Sequence, residues 1–313
     1  MPNTVYSRTP PFCAYRRWQP YAVYGIDGYA GHMADPSTTP EREDVPDLPH
    51  GLALAWGVAP DPTRGPKREI SVERIVAEAV RIADEEGLEA VSMAAVAKKV
   101  GFTSMSLYRY VSSKDDLLLL MMEAATGLPP DWERGEESSS GSGSWRSRLE
   151  QLYRGQVEVY IRHPWVAELV RRILGLPTQG APVTPRSSAW LEVGLAALTR
   201  TPLTSEERTA AILAVIGQAR FHGTVVAGYA QSARSTGLDE EEMSSRQHAL
   251  FDAVIAAGQF PHLRDAIDDG VFLGEADPFQ FGLARLLDGV EVYIDALERG
   301  EPHEAFRPTD LVR

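Results

Sequence analysis

The chain of 313 residues has very little cysteine and no long apolar run. Its single cysteine, Cys13, excludes an intramolecular disulfide and a cysteine-rich zinc site, and it suits a reducing cytoplasm. No stretch of about 18 apolar residues is present, so no membrane span is predicted. A signal peptide is not expected, because no apolar stretch follows Arg16 and Arg17.

Motifs that carry catalysis are also missing. The chain has no Gly-x-Ser-x-Gly elbow, no phosphate-binding glycine loop and no His-Glu-x-x-His run. The seven histidines are dispersed, and no pair has a spacing that suggests metal ligation. We therefore expect neither an enzyme nor a metal or cofactor site. A purely structural or protein-interaction role remains open at this point.

The negative charge is distributed unevenly along the chain. The whole chain carries a net charge of −13, of which residues 1–63 contribute −3 and residues 115–313 contribute −12. Residues 64–114 hold nine basic and seven acidic side chains and are the only net-positive part. An acidic body would repel a DNA duplex and turn the basic segment towards it. The overall acidity therefore does not exclude a DNA-binding protein.

The first 65 residues lack helical or strand periodicity, and we expect a disordered or loosely docked tail. A short apolar island at 52–56 either docks on the folded body or is a weakly ordered linker. Met33 is a second plausible start, so whether residues 1–32 are translated stays open. A second tail is expected at 301–313.

From Ser71 onward the apolar pattern is helical, with Gly87 as the stop of the first helix. No convincing run of alternating apolar residues is present, so the fold class predicted is all-α. We expect a three-helix helix-turn-helix domain at 66–126, a flexible Ser/Gly-rich loop at 127–144 and a larger helical domain at 145–300. Helices of the larger domain are predicted at about 145–162, 165–174, 186–200, 205–231, 240–258 and 278–298.

Residues 92–111 have the pattern of a helix-turn-helix. Ser92 can cap a first short helix, and Gly101 allows the sharp turn because glycine enters positive φ without strain. A second helix of about seven or eight residues then begins at Thr103 or Ser104. The inner faces of both helices are apolar, with Val96, Ala97, Val100, Leu107 and Val111.

The outer face of the second helix carries short polar groups and two long ones, which fit a DNA major groove. A further helix begins near Lys114, where free amides and a lysine suit a phosphate. On an unrelated helix these side chains would be ordinary solvated surface. Arg64, Lys67 and Arg68 upstream are more simply solvated charges than a minor-groove arm. The outer face consists of Thr103, Ser104, Met105, Ser106, Tyr108 and Arg109.

Three runs together resemble the DNA-binding domain of the tetracycline-repressor (TetR/AcrR) family. They are Glu86-Gly-Leu-Glu-Ala-Val-Ser-Met, Val-Ala-Lys-Lys-Val-Gly at 96–101 and Ser-Leu-Tyr-Arg-Tyr-Val-Ser-Ser-Lys-Asp-Asp-Leu at 106–117. The resemblance implies that Tyr108 and Lys114 contact phosphates, and that 103–106 and Arg109 face the groove. Some relatives have an arginine at the position of Ala94 that reaches a guanine, so the base preference here differs.

The same resemblance implies a sequence-specific regulator, most simply a repressor, that binds double-stranded operator DNA as a homodimer. Helices 205–231 and 278–298 would pack against their copies as a four-helix bundle and place two recognition helices on pseudo-palindromic half-sites about 34–36 Å apart. The alternative is that both helices are interior to a monomer.

A pocket for a small-molecule effector is implied by the resemblance alone. No histidine and carboxylate set suits a metal-chelated tetracycline, and the region near Ile173 and Val226 is apolar. We therefore expect a hydrophobic ligand bound without metal, although each aromatic candidate is more simply explained as ordinary core. The candidate lining residues are Met121, Trp165, Trp190, Arg220, Phe221 and His222.

Overall fold

The computed structural model describes residues 48–59, 70–129, 144–174, 184–255, 260–270 and 278–301. All regular structure in these ranges is helical, which confirms the predicted fold class. Cys13, the possible start at Met33, the basic residues Arg64, Lys67 and Arg68, most of the loop predicted at 127–144, and the C-terminal tail lie outside the described residues.

The helices follow one another in the order that the sequence pattern predicts, with one short addition at the N-terminal end and one after residue 260. A single 3₁₀ turn covers Leu88–Ala90. The α-helices are α1 (His50–Ala55), α2 (Val72–Glu86), α3 (Met93–Val100), α4 (Ser104–Leu107), α5 (Lys114–Thr126), α6 (Trp145–Arg162), α7 (Val166–Leu174), α8 (Pro185–Leu198), α9 (Ser205–Thr236), α10 (Glu240–Val254), α11 (Pro261–Asp268) and α12 (Pro278–Glu298).

A first apolar core is built around α2, α3 and α5. The Oγ of Ser71 accepts a hydrogen bond from the amide of Arg74 and caps α2, and Gly87 ends that helix with φ of +88°. Both ends match the prediction. Each large side chain buried here contributes about 1.5–3 kcal/mol of transfer free energy. The largest fully buried members are Ile75, Ile82, Leu107, Leu117, Leu120, Met121 and Leu169.

A second apolar core lies among α6, α8, α9 and α12, and the two cores meet within α6. Leu149, Leu152 and Val157 of α6 belong to the second core. Val159 and Tyr160, at the C-terminal end of the same helix, belong to the first core together with α7. One continuous helix therefore contributes to both cores.

The long helix α9 crosses α6 at very short distance. A Cβ on Gly223 would lie 2.4 Å from Cγ of Tyr160, so only glycine lets the two helices approach this closely. By length and composition alone α9 would pass as a membrane span, which for a single helix is weak evidence; 28% of its apolar window is buried, and it packs on α6, α8 and α12.

The segment after α9 differs from the prediction. The sequence pattern predicts one helix over 240–258, whereas α10 ends at Val254 and a separate α11 begins at Pro261. Proline at the first helical position suits a new helix because its missing N–H has no partner there in any case.

Candidate nucleic-acid interface

The turn between α3 and α4 has the local geometry that its residue types predict. The Oγ of Ser92 accepts a hydrogen bond from the amide of Ala95 at 3.1 Å. Gly101 has φ of +83°, in the left-handed region. Thr103 caps α4, since its Oγ1 accepts from the amide of Ser106 at 3.3 Å. Local signals therefore fix the angle at which α4 leaves the turn.

We call residues 103–111 the recognition segment. Its α-helical part is shorter than predicted. It covers only Ser104–Leu107, so the expectation of seven or eight α-helical residues is wrong. Beyond it the amide of Arg109 donates to the Ser106 carbonyl and that of Tyr110 donates to the Leu107 carbonyl, which is 3₁₀ geometry. Leu107 and Val111 are both fully buried, and the amide of Val111 donates to the Leu107 carbonyl at 3.0 Å, an α-type bond that keeps the two side chains on one face.

The predicted DNA contacts all lie on the outside of this segment. Met105 is 76% exposed and Tyr108 is 45% exposed, which is unusual for large apolar surface in a helical protein. Ser106 Oγ lies 2.9 Å from Thr103 Oγ1, so each hydroxyl already has one partner. The other members are exposed at Thr103, Arg109 and Lys114 and half-buried at Ser104 and Ser106.

Lys114 is the first residue of α5, directly after the recognition segment. Ser113 caps this helix, because its Oγ accepts from the amide of Asp116 at 3.0 Å. The helix N-terminus and the ammonium group together favour an anion. The carboxylate of Asp116, in the same turn, acts against the binding of an anion. Its Oδ1 accepts a hydrogen bond from the amide of Gly51 in α1 at 2.8 Å. This contact was not predicted, since 65 residues separate its partners.

A half-buried carboxylate joins the first core to the junction of α6 and α7. Oδ1 of Asp84 in α2 accepts from Nδ1 of His163 at 2.8 Å and from Nε1 of Trp165 at 2.6 Å. The ring of His163, which follows the last turn of α6, thus bonds to a carboxylate of α2. Trp165, a candidate for the effector pocket, has its indole N–H committed to Asp84.

A second polar joint connects the end of α5 with the start of α8. Glu123 is 1% exposed, and its Oε1 accepts from the amide of Arg186 at 3.1 Å. The guanidinium of Arg186 donates to the carbonyls of Glu123 and Ala124, both at 2.9 Å. Burial raises the pKa of the Glu123 carboxyl, against the opposing effects of a hydrogen bond with Thr184 and the charge of Arg186.

The six candidate pocket residues do not form one cluster. Met121 and Trp165 belong to the first core, whereas Trp190 belongs to the second and donates its indole N–H to the Gly127 carbonyl at 3.2 Å. Arg220, Phe221 and His222 lie on α9, where Phe221 is 61% exposed.

An aromatic group that the sequence did not single out surrounds His222. Its ring stacks on Phe279 with 4.2 Å between centroids, and its Nδ1 lies 2.9 Å from the hydroxyl of Tyr153. Phe221 meets Phe279 edge-on at 5.6 Å. Tyr153 and Phe279 carry no motif of their own, so only the packing of α6, α9 and α12 brings them together. Within the described ranges no three His, Cys, Asp or Glu residues could hold a metal ion.

Comparisons with known proteins agree with this arrangement in both halves. The family model "Bacterial regulatory proteins, tetR family" matches residues 75–121, and "Tetracyclin repressor-like, C-terminal domain" matches residues 137–294. The HTH-type transcriptional repressor DrrR1 of Streptomyces coeruleorubidus is 37% identical over 264 residues, which cover 82% of this chain and 89% of that protein.

Solved structures share the fold. A possible TetR family transcriptional regulator from Streptomyces coelicolor A3(2) superposes with a TM-score of 0.54 at 22% identity, over 71% of this chain and 100% of that one. ActR of Streptomyces coelicolor in complex with actinorhodin gives 0.54 at 21% identity, over 72% and 98%. With both family models and a relative along most of its length, this chain belongs to the TetR family of bacterial transcriptional regulators.

Proposed function

We propose that this regulator is a homodimeric repressor that leaves its pseudo-palindromic operator when a hydrophobic small molecule binds. The observation that carries the proposal is the recognition segment, whose polar side faces solvent while Leu107 and Val111 anchor it in the core. A repressor is favoured by the relative DrrR1, which is named as one. Such a protein acts in the cytoplasm, where bacterial DNA is found.

The DNA contacts divide into two classes by chemistry. Arg109 and the hydroxyls of 103–106 read base edges, and the exposed Met105 contacts a thymine methyl group. Tyr108 and Lys114 bind phosphates and set the register of the protein on the duplex. Direct base readout gives specificity, whereas the phosphate contacts supply affinity that falls with salt.

Dimerisation uses the outer faces of α9 and α12, which we call the bundle face. On α9 it consists of Leu213, Gly217 and Phe221, spaced four residues apart on the side opposite the buried core. On α12 it contains Phe281 and Val292, each 66% exposed. Two packed helices with exposed large apolar side chains suit burial against a second copy.

Three glycines on or near the bundle face support a close approach of the partner. A Cβ at Gly217, Gly228 or Gly289 would meet nothing within 4 Å in the monomer. Glycine within a helix costs roughly 0.5–1 kcal/mol relative to alanine, so packing inside the monomer gives no reason for it here. A partner helix that packs directly on the backbone at these positions explains why they are glycine.

The effector site is proposed at the aromatic group formed by Tyr153, His222 and Phe279, with Arg220 beside it on α9. Of the other candidates, Met121, Trp165 and Trp190 belong to the two cores, and Phe221 is assigned to the bundle face. The aromatic group around His222 offers flat apolar faces and a hydroxyl, which suit a hydrophobic ligand with an aromatic ring system and no metal. ActR, a neighbour of similar fold, is solved in complex with actinorhodin.

The test is selection of genomic DNA fragments by the purified protein, followed by titration of the enriched fragment. Tyr108→Ala combined with Lys114→Ala should abolish the gel shift at physiological salt, because both phosphate anchors of each half-site are lost. Arg171→Ala, at an exposed arginine of α7, is the matched control and should bind normally. Binding that ignores sequence, or a double variant that binds like the wild type, would contradict the proposal.

A further inference from the structure

Helix α5 is apolar almost all the way round. Residues 117–122 read Leu-Leu-Leu-Leu-Met-Met, and Leu117, Leu118, Leu120 and Met121 are buried. A helix of this kind must be covered on every side. Helix α2 covers one side and α8 holds the C-terminal end. The side that carries Asp116 and Leu119 is covered by α1.

Contact between α1 and α5 is made through backbone. The amide of Gly51 donates to Oδ1 of Asp116 at 2.8 Å. A Cβ on Gly51 would lie 2.7 Å from that oxygen, 3.0 Å from Asp116 Cα and 3.1 Å from Cδ2 of Leu119. Asp116 also supplies the cap that α1 lacks, since Pro49 at its N-cap makes no side-chain bond. The fit at this point therefore requires glycine.

The attachment of α1 is small. The helix has six residues, of which Gly51 and Ala55 are buried, and Ala55 and the partly buried Leu54 pack in the first core. Isolated helices shorter than about 12–15 residues are marginal in water, so α1 depends on docking for its helical form. The family model for the DNA-binding domain begins at residue 75, after α1.

We propose that α1 is a detachable strap that keeps α5, and with it the Lys114 end of the DNA-binding surface, in the state that binds the operator. Release of α1 removes the partner of the Asp116 carboxylate and uncovers Leu119. The first turn of α5, which positions Lys114, then has fewer contacts to hold it in place, so release weakens DNA binding. This proposal rests on the proposed function.

The experiment compares two full-length variants of the same helix. Gly51→Leu blocks docking, whereas His50→Leu adds the same side chain at the neighbouring exposed position. For Gly51→Leu we expect faster hydrogen exchange in the first turns of α5 and roughly tenfold weaker binding to the selected fragment, equivalent to about 1.4 kcal/mol. His50→Leu should match the wild type in both measurements.

A third variant separates a strap from an effect of charge. Asp116→Asn removes the same negative charge with or without Gly51→Leu, so the loss caused by Gly51→Leu should remain when Asp116→Asn is present. Faster exchange in α5 without weaker binding, or a loss that Asp116→Asn abolishes, would overturn the strap. Loss of protection throughout the first core would overturn it as well, because α1 could then not leave without unfolding that core. A wild-type chain that enriches no DNA fragment would instead overturn the proposed function itself.

Discussion

At the scale of single residues, the recognition segment has one long side chain suited to reading a base. Arg109 is exposed, and its guanidinium matches the two acceptors of a guanine. Arg109→Ala should cost about 1–3 kcal/mol on the selected fragment and relax the preference at one base pair per half-site. Titration of single-base variants at fixed salt measures both effects. An equal loss on every fragment would mean that Arg109 contacts only phosphate.

Residue identities predicted local geometry better than distant contacts. The caps at Ser71, Ser92 and Thr103 and the turn at Gly101 depend on neighbours within about four residues, so their chemistry is visible in the sequence. The bond between Trp165 and Asp84 spans 81 residues and required the fold. The sequence therefore made Trp165 a candidate ligand contact, although its indole N–H donates to the half-buried carboxylate of Asp84.

At the scale of elements, the joint between α5 and α8 contains a titrating group. The pKa of Glu123 is raised above its usual value of 4.5 because the carboxyl is buried. A raised pKa favours the protonated form in the folded chain. The resulting stabilisation is complete below the usual pKa and is lost as the pH rises through the pKa of the folded state.

The pH dependence of Glu123→Gln tests this joint. Glutamine does not titrate and can still accept from the Arg186 amide. The free energy of unfolding of the wild type, relative to Glu123→Gln, should therefore fall as the pH rises above the usual carboxyl pKa of 4.5. Denaturant unfolding at several pH values measures it, with exposed Glu192→Gln on α8 as control for one lost charge. A difference that is constant or grows with pH would contradict the assignment.

The elements themselves were largely predictable, because helical periodicity and glycine or proline stops place most of the boundaries. The exceptions are short. Helix α4 covers only Ser104–Leu107, and the short α1 packs on α5. The docking of α1 is not encoded in the local sequence, since it depends on packing against an element elsewhere in the chain.

At the scale of the whole molecule, dimerisation should depend on the bundle face. Gly217→Leu meets no obstacle in the monomer and improves helix propensity by roughly 0.5–1 kcal/mol, so the fold should be kept or slightly stabilised. The dimer should nevertheless dissociate at micromolar concentration, as measured by sedimentation or light scattering. Gln151→Leu, at an exposed position of α6, is the control. A Gly217→Leu dimer as tight as the wild type would rule out this face.

The sharing of α6 between the two cores has a mechanical consequence. One end of that helix is held by the same packing that surrounds α9, and the other end lies beside Asp84 and the base of the DNA-binding helices. Because the helix is continuous, a rotation or tilt of its first turns also moves its last turn. A change of packing in the larger domain can therefore reach the DNA-binding helices through one continuous helix.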